Sequence, residues 1–525
     1  MEFDHVLRII GEFGPYQKRL YILVNLAIIP AAFQMLMNIF IAREPRWHCS
    51  ALNISQTCPT GERSCETIRY TSTYTSIASE WNLICEDAYK VELSQSVFMM
   101  GALLGGLVLG MLADKYGRRP SWCISYILMV LGGVATAFST SLNVLYVARL
   151  VAGVGTGGAL LTGFVLVTEL IGPSYRGITG ALSSCFFTFG QMLLPAFAYF
   201  LQDWRKLSFI LSLVGVIFTF FIRSVPESPR WLMIVGRVSE AEDILSETAL
   251  YNGLALPKTL LQIGRPMQLS RSYHGCLELF RNCYIAKKTI VISSIWFINS
   301  LVYYGLSFNT KNIDGNIFLN FFLSSIIELP AYFISFSIIN WIGRKRSVFY
   351  CMTLSGAACL ACLFVQTGGL SSYSPLVTAT AVLGKFGIAA SFSILHIFSA
   401  ELFPTVVRNI GLGLCSMAAR VGAIVAPMIV FLGSYTRPLP MMIFGMGAFT
   451  AAFFSLMLDE TLNRPLSETL EDDLPNQELG DYLHYKQLNT AAGSPQNEDV
   501  EENVFALVDS DVENDFPIDE KRTFI

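Results

Sequence analysis

Charged residues are scarce in this sequence: Lys, Arg, Asp and Glu make up 14% of its 525 residues, whereas apolar residues make up 53%. The mean hydropathy is +0.50. Soluble domains carry about 25% charged residues, so this composition argues against a soluble protein and favours the lipid bilayer as solvent. The net charge of −4 is small, and we expect no nucleic-acid partner.

Groupings typical of catalysis are also missing. The sequence shows no nucleophile–base pair and no set of metal ligands, so we expect neither an enzyme nor a metal or cofactor site.

The first apolar segment, from about residue 20, lacks a small-residue cleavage site and follows six charged residues. We therefore expect it to be retained as a helix rather than removed as a signal peptide.

Long apolar runs are what the sequence has in abundance. A helix that crosses about 30 Å of hydrocarbon needs roughly 20 apolar residues. Twelve such runs can be drawn, at 20–41, 94–113, 121–139, 143–167, 177–200, 207–224, 289–308, 316–339, 347–366, 375–399, 410–432 and 439–458. The sequence therefore predicts an all-α membrane protein with twelve transmembrane helices.

The short loops predict the orientation, because Lys and Arg accumulate on the cytoplasmic side. Cations gather after the second and the eighth run: Lys115, Arg118, Arg119, Arg344, Lys345 and Arg346. Both loops are therefore expected inside the cell. With an even number of spans, both termini are expected in the cytoplasm as well.

The loop at 42–93 is then exterior, and four of the twelve cysteines fall within it: Cys49, Cys58, Cys65 and Cys85. In an oxidising compartment they can form two disulfides, for which three pairings are open. The loop also holds Asn53-Ile54-Ser55, an acceptor for N-glycosylation. These features indicate the secretory route and the plasma membrane.

Several short motifs occur twice, at offsets of 226–233 residues. The first copies are Gly117-Arg118-Arg119, Glu169 with Arg176, and Pro226-Glu227-Ser228-Pro229-Arg230; the second copies are Gly343-Arg344-Lys345, Glu401 with Arg408, and Asp459-Glu460-Thr461. Such duplication predicts two pseudo-symmetric six-helix bundles, an architecture of transporters that rock two halves about a central site. We expect an N-terminus at 1–19, bundles at 20–224 and 289–458, a cytoplasmic linker with short helices at 225–288, and a tail at 459–525.

The loop motif Gly110-x-x-x-Asp114-Lys115-x-Gly117-Arg118-Arg119 resembles the loop signature of the major facilitator superfamily. An acid beside several cations can form a charge cluster that holds the cytoplasmic gate in one state. A plain positive-inside loop is the alternative, but it leaves Asp114 and Gly117 unexplained. The second copy has Asn340 in place of the acid, so we expect a weaker cluster there.

Three further motifs resemble solute carrier family 22, the organic cation, anion and carnitine transporters. They are WNLIC at 81–85, PESPRWL at 226–232 and ELFPTVVRN at 401–409. GEFGPYQ at 11–17 and GKFG at 384–387 are similar to the carnitine and organic zwitterion branch of that family. The resemblance implies an alternating-access carrier of small organic ions.

Ionisable residues inside the predicted spans mark the expected substrate site, because each costs at least about 2.5–3.5 kcal/mol to insert. They are Arg149, Glu328, Lys385 and Arg420. The alternative is a structural ion pair, for instance between Glu328 and Lys385 or Arg420. The stretch Cys415–Gly422 resembles family 22. In that family, the cation transporters carry aspartate at the position of Arg420, whereas the anion and carnitine branches carry arginine.

A guanidinium can hold a carboxylate with two hydrogen bonds, so Arg420 favours a substrate with an acid group. Aromatic residues of the seventh run could hold the ammonium end of a zwitterion over their ring faces, Trp296, Tyr303 and Tyr304 first among them. The alternative role of these rings is helix packing.

The C-terminal stretch from Glu471 to Glu520 holds about fifteen acids and one lysine, and we expect it to be disordered. It ends in Arg522-Thr523-Phe524-Ile525, a form that PDZ domains capture by their terminal carboxylate.

Together these observations predict a carrier of small organic zwitterions such as carnitine, betaine or ergothioneine, with organic cations as further substrates. Three alternatives stay open: an organic anion transporter, a sugar porter, and a receptor or scaffold without transport. No span carries a cluster of acids typical of a cation cage, so the sequence assigns no coupling ion, sodium or proton.

Overall fold

In the computed structural model, the structure describes residues 3–49, 54–55, 68–221, 224–254, 279–313, 315–367, 374–464 and 467. The chain forms two compact units, Met1–Leu466 and Ser467–Ile525. Ser467 is the one described residue of the second unit, so the acidic stretch and the terminal Thr523-Phe524-Ile525 lie outside the described residues.

Twelve long helices build the first unit, one at each predicted apolar run. The N-terminal six are Pro15–Ile41, Tyr89–Tyr116, Arg118–Ala137, Leu142–Leu170, Arg176–Phe200 and Trp204–Phe221. The C-terminal six are Cys283–Asn309, Ile317–Ile342, Arg344–Thr367, Ser374–Leu402, Arg408–Phe431 and Leu439–Ser455. We number them as membrane helices one to twelve in this order.

Ten helices in the described part of the chain are long and apolar enough to cross a membrane. The sixth and twelfth, which close the two halves, are shorter at 18 and 17 residues. Most helices extend past the predicted runs, as the second does from 94–113 to Tyr89–Tyr116. An apolar run marks the hydrocarbon crossing, whereas the helix continues into the headgroup layer.

Small residues bring the helices close together in the N-terminal half. A Cβ on Gly153 of the fourth helix would lie 2.1 Å from the carbonyl oxygen of Phe98 on the second. Without a hydrophobic driving force between helices in lipid, such close backbone contact is a main source of helix association.

Four short α-helices of the described residues lie outside the membrane helices: Phe3–Ile10, Ile77–Glu80, Pro229–Val235 and Val238–Tyr251. Val6, Leu7 and Ile10 of the first pack against Leu245 and Ala249 of the last, forming a small apolar core. The helix Phe3–Ile10 was not predicted. It joins the N-terminus to the linker that follows the sixth membrane helix.

The loop between the first two membrane helices contains a three-stranded antiparallel sheet. Trp47–Cys49 is its central strand, between Ile54–Ser55 and Ile68–Tyr70; His48 pairs with Ser55 and with Arg69. Cys85 is disulfide-bonded. Cys58, Cys65 and the predicted glycosylation site Asn53 lie outside the described residues, so the pairing of the cysteines stays a prediction.

Candidate functional site

A buried ion pair lies at the centre of the C-terminal half. Glu328 follows a break in the eighth helix, which runs as Ile317–Ile326 and Glu328–Ile342. Its Oε1 lies 3.1 Å from Nζ of Lys385 on the tenth helix, and the side chains are 0% and 1% exposed. This is the ion pair that the sequence left open as an alternative to separate substrate contacts.

Four neutral side chains also donate hydrogen bonds to Glu328. Tyr303 and Tyr332 do so over 2.9 and 3.2 Å from the C-terminal half. Thr188 and Gln191 do so over 3.0 and 2.9 Å from the fifth helix, in the other half. A carboxylate has about four lone-pair sites, so Glu328 is fully satisfied and joins the two halves through its hydrogen bonds.

Lys385 is equally well satisfied. Its ammonium donates to the hydroxyl of Ser307 over 2.6 Å and to the carbonyl of Tyr303 over 3.2 Å, in addition to its contact with Glu328. An ammonium has three donors, and all of them are used. These contacts hold the seventh, eighth and tenth helices together at one depth. We call the residues that make them the central cluster: Glu328, Lys385, Tyr303, Ser307, Tyr332, Thr188 and Gln191.

Arg420 stands apart from that cluster and differs from it in its partners. Its Nη1 donates to the carbonyl of Ala102 on the second helix over 3.3 Å, across the two halves. The guanidinium also lies against Gly106, where a Cβ would come 1.6 Å from Nη1. No carboxylate among the described residues forms a salt bridge with Arg420, which leaves most of its five donors for another acceptor.

Tyr304 lies beside the central cluster. Its ring centroid is 5.2 Å from that of Tyr303, which donates a hydrogen bond to Glu328. Its hydroxyl contacts the sulfur of Met35 on the first helix over 3.3 Å. Tyr303 thus lies beside Glu328 and Lys385, with Tyr304 next to it, and the role of the two rings in substrate binding stays a prediction.

Trp296 lies elsewhere, closer to the start of the seventh helix than Tyr303 and Tyr304. Its indole N–H donates to Ser399 over 2.8 Å, and its ring contacts His396 and Phe392 with centroids 4.6 and 5.5 Å away. These contacts are packing between the seventh and tenth helices, and the structure does not bring Trp296 into the central cluster. Its role in binding stays a prediction.

The predicted gating residues of the first half meet after the second helix. Arg118 donates to Asp114 over 2.6 Å and to both oxygens of Glu169 over 3.2 Å. Glu227 accepts hydrogen bonds from the backbone amides of Arg118 and Arg119, over 2.9 and 3.1 Å. We call Asp114, Arg118, Glu169 and Glu227 the N-terminal charge corner.

The second half repeats this geometry. Arg344 donates to both oxygens of Glu401 over 2.8 and 2.9 Å, and its backbone amide donates to Glu460 over 2.7 Å. Asn340, at the position of Asp114, donates to the carbonyl of Phe336 over 3.3 Å. We call Arg344, Glu401 and Glu460 the C-terminal charge corner.

A glycine with positive φ makes each corner possible. Gly117 has φ +113° and Gly343 has φ +102°, values that favour glycine. A Cβ on Gly117 would also lie 2.3 Å from Oε2 of Glu227, and one on Gly343 would lie 2.5 Å from Oε2 of Glu460. The tight turn therefore brings each carboxylate onto the amino terminus of the next helix, where it is stabilised.

The other predicted gating residues lie around these corners. Arg176 donates to both oxygens of Asp4 over 2.8 and 3.3 Å, and this hydrogen bond lowers the pKa of the Asp4 carboxyl. Its counterpart Arg408 donates to the carbonyl of Phe403 over 3.3 Å, but its buried Nη2 has no hydrogen-bond partner among the described residues. Arg230 contacts the ring of Phe3 at 6.0 Å. Gly110 faces the fourth helix; a Cβ there would lie 3.1 Å from the side chain of Leu161.

Sequence reasoning missed Thr188, Gln191 and Asp4. Thr188 and Gln191 are uncharged and lie in an ordinary apolar run, so no signal distinguishes them. Asp4 lies 172 residues from Arg176, and only the fold brings them together. In the described residues, no group of three or more His, Cys, Asp and Glu side chains is placed to hold a metal ion.

Comparison with known proteins gives a consistent result. The family described as "Sugar (and other) transporter" matches residues 62–472. The chain is 36% identical to the organic cation transporter protein of Drosophila melanogaster, covering 90% of this chain and 94% of that one. It is 35% identical to a solute carrier family 22 member 15-like protein of Xenopus tropicalis (90% and 96%) and 34% identical to human organic cation/carnitine transporter 2 (90% and 94%).

Solved structures show the fold. The inward-open xylose transporter from E. coli matches with a TM-score of 0.62 at 15% identity, over 86% of this chain and 98% of that one. A partially occluded inward-open form of that transporter matches with a TM-score of 0.60 at 17% identity, over 86% and 100%. At this level of identity the likeness extends to the arrangement of helices and not to the substrate.

Proposed function

The chain belongs to the organic cation and carnitine transporters, solute carrier family 22 of the major facilitator superfamily, and from this premise we propose that it carries small organic zwitterions. It is a membrane transporter and not an enzyme. Substrates of the proposed class combine a carboxylate with a quaternary or protonated amine, as carnitine, betaines and ergothioneine do.

One observation carries the proposal: the guanidinium of Arg420 reaches from the eleventh helix to the second and forms no salt bridge with any carboxylate of the described residues. The one hydrogen bond that the described residues give it goes to the backbone carbonyl of Ala102, which leaves donors for a substrate carboxylate. The ring of Tyr304 offers a face to an alkylammonium group, a contact worth about 0.5–2 kcal/mol, whereas the ring of Tyr303 already has the ammonium of Lys385 3.2 Å from its centroid. A dipolar substrate can place its carboxylate on Arg420 and its ammonium over Tyr304.

Contacts between the halves support alternating access. Glu328 is held by Thr188 and Gln191 of the opposite half, and Arg420 by Ala102. Rocking the halves apart breaks these contacts and leaves both charges without their partners from the N-terminal half. A substrate that replaces those partners therefore couples its own binding to the motion of the halves.

An organic anion transporter is the second candidate, because Lys385 neutralises Glu328 and leaves the positive charge of Arg420 in excess. Relatives named organic cation transporters and organic cation/carnitine transporter 2 favour the zwitterion over the anion. A sugar porter, the third candidate, is supported by the shared fold alone.

Uptake by Arg420 variants in oocytes tests the proposal, with carnitine, ergothioneine, tetraethylammonium and a dicarboxylate as substrates, each with and without sodium. We expect Arg420→Ala to raise the Michaelis constant for zwitterions roughly ten- to a hundred-fold, the loss of about 1.5–3 kcal/mol of charge-assisted hydrogen bonding. Tetraethylammonium, which has no carboxylate, should be spared.

Two further variants serve as controls. Arg420→Lys keeps the charge but loses the planar fork, so it should recover only part of the zwitterion affinity. Arg420→Asp should favour tetraethylammonium, because repulsion of the wrong class contributes to specificity. If all variants reach the surface and lose every substrate equally, Arg420 serves the transport cycle and the zwitterion proposal fails.

We further propose a plasma-membrane location with both termini in the cytoplasm, as the loop charges favour. An epitope inserted near Thr60 should then be stained on intact cells, and one near Gly264 only after permeabilisation. Staining of both without permeabilisation would reject this topology.

The terminal Thr523-Phe524-Ile525 favours a PDZ-domain partner. A binding assay that compares the C-terminal peptide with one lacking Ile525 tests this proposal.

A further inference from the structure

An ion pair joins the two halves at the end of the bundle opposite the charge corners. Glu92 lies in the first turn of the second helix, and Lys311 in the turn Thr310–Asn312 that follows the seventh. Only 10% of the Glu92 side chain and 8% of the Lys311 side chain are exposed. The distribution of loop charges assigns this end to the exterior.

Aromatic contacts hold the same end together beside the ion pair. Phe40, in the last turn of the first helix, stacks on Phe318 at 5.7 Å and meets Phe321 edge-on at 5.5 Å. Tyr199 of the fifth helix meets Phe318 edge-on at 5.5 Å. The exterior ends of helices one and five are thus packed against helix eight, while the ion pair holds helix two against helix seven.

We propose that Glu92 and Lys311 form an exterior gate, which is closed in this structure and must break each time the carrier opens to the outside. The inference concerns the transport cycle and holds for any substrate, so it goes beyond the proposed zwitterion specificity. The pair sets the proportion of carriers that face outward, because it is present only while the exterior ends of the two halves are together.

The energetics of a buried pair give the direction of the effect. Removing one member leaves the other charge buried and unpaired, which strongly destabilises the closed state. In the exterior-open state both side chains regain water, so the same change costs little there. Neutralising either Glu92 or Lys311 therefore shifts the population toward the exterior-open state.

An ion pair just before Glu92 in sequence offers a matched control. Lys90 lies 2.6 Å from Asp87 in the same half, and both side chains are substantially exposed. Lys90→Gln removes the same charge from the same end of the molecule as Lys311→Gln. The contacts of the Lys90 side chain within the described residues, with Asp87 and Tyr89, all stay in the N-terminal half.

Thiol labelling on intact cells tests the gate. Ser96 of the second helix is buried and donates to the carbonyl of Ile424 in the other half over 2.8 Å, so a cysteine there lies behind the pair. In a Ser96→Cys background, Glu92→Gln and Lys311→Gln should raise the rate of modification by a membrane-impermeant methanethiosulfonate roughly three- to tenfold, in step with the exterior-open population. Lys90→Gln should leave the rate unchanged.

A charge reversal separates gating from folding. Glu92→Lys and Lys311→Glu alone should each label fast, and the double variant, which restores the pair in reverse, should label slowly again. Equal rates in Lys311→Gln and Lys90→Gln would overturn the gate. So would a Lys311→Glu chain that fails to reach the surface and is not restored by Glu92→Lys, because the pair would then serve folding.

Discussion

In the N-terminal charge corner the guanidinium of Arg118 is divided between Asp114 and Glu169, whereas in the C-terminal corner Arg344 gives both of its carboxylate contacts to Glu401. The hydrogen bonds to Glu401 are shorter than those to Glu169, 2.8 and 2.9 Å against 3.2 Å, and the hydroxyl of Thr461 also donates to Glu401. The two halves therefore build one geometry with different redundancy. The N-terminal corner has a second acid in reserve, and the C-terminal corner depends on one.

Arg176 and Arg408, which follow the two corners in sequence, also differ in whether an acid binds them. Arg176 binds Asp4 of the N-terminal helix, whereas the part of the chain that the structure describes gives the buried Nη2 of Arg408 no partner. An acid outside the repeated bundle thus completes the N-terminal half. Duplication explains what the halves share, and the segments added to the first half explain where they differ.

The largest effect that this comparison predicts comes from removing the shared acid from each half. Glu401→Gln should cost about 1.5–3 kcal/mol of stability, because Arg344 loses its carboxylate while 14% exposed. Glu169→Gln should cost roughly half as much, since Asp114 still contacts Arg118. Thermal unfolding of the purified variants in detergent measures the difference, with uptake as a second readout. Equal losses would show that Asp114 is no reserve.

A smaller effect is expected from exchanging the residue that distinguishes the corners. Asp114 is 75% exposed, so Asp114→Asn should change stability by only about 0.2–1 kcal/mol. It should lower uptake with normal surface expression, by shifting the inward-closed and inward-open populations. Normal turnover in this variant would reduce the motif to a positive-inside loop.

The reverse exchange sharpens the same point. Asn340 stands four residues before Arg344, the spacing of Asp114 and Arg118, so Asn340→Asp should recover part of the loss in a Glu401→Gln background. The recovery should shrink in high salt, because exposed charges are screened. A recovery independent of salt would point to a packing effect.

The corners and the membrane helices could be predicted from sequence because their signals are local. Apolar length marks a span, and repeated charged motifs mark equivalent points of a duplicated bundle. The helices themselves run past the predicted limits, since hydropathy measures the hydrocarbon crossing and not the hydrogen-bonded backbone.

The central cluster could be predicted only in part. Glu328 and Lys385 stand out because charge in an apolar run is costly, but their pairing depends on how the eighth and tenth helices pack. Thr188 and Gln191 carry no such cost and give no signal. For Trp296 the pattern failed to separate binding from packing, because a ring facing Ser399 and a ring facing a substrate look alike in sequence.

A last effect, as small as that of Asp114→Asn, concerns the contact that the C-terminal half lacks. The hydrogen bond from Arg176 holds the pKa of Asp4 below its ordinary value of about 3.9. Docking of the N-terminal helix is therefore stabilised above that ordinary value, and the contribution is lost as pH falls through the lowered pKa. Because the two side chains are 29% and 27% exposed, Asp4→Asn should cost only about 0.3–1 kcal/mol at neutral pH. The stability difference between the parent and Asp4→Asn should stay constant from pH 7 to pH 5 and shrink below pH 4.

Arg408→Gln supplies the control, since no described carboxylate forms a salt bridge with Arg408. Its effect on stability should therefore not follow that acid transition. A parent–Asp4→Asn difference that persists unchanged at pH 3 would mean that the apolar contacts with Leu245 and Ala249, and not the ion pair, hold the N-terminal helix in place.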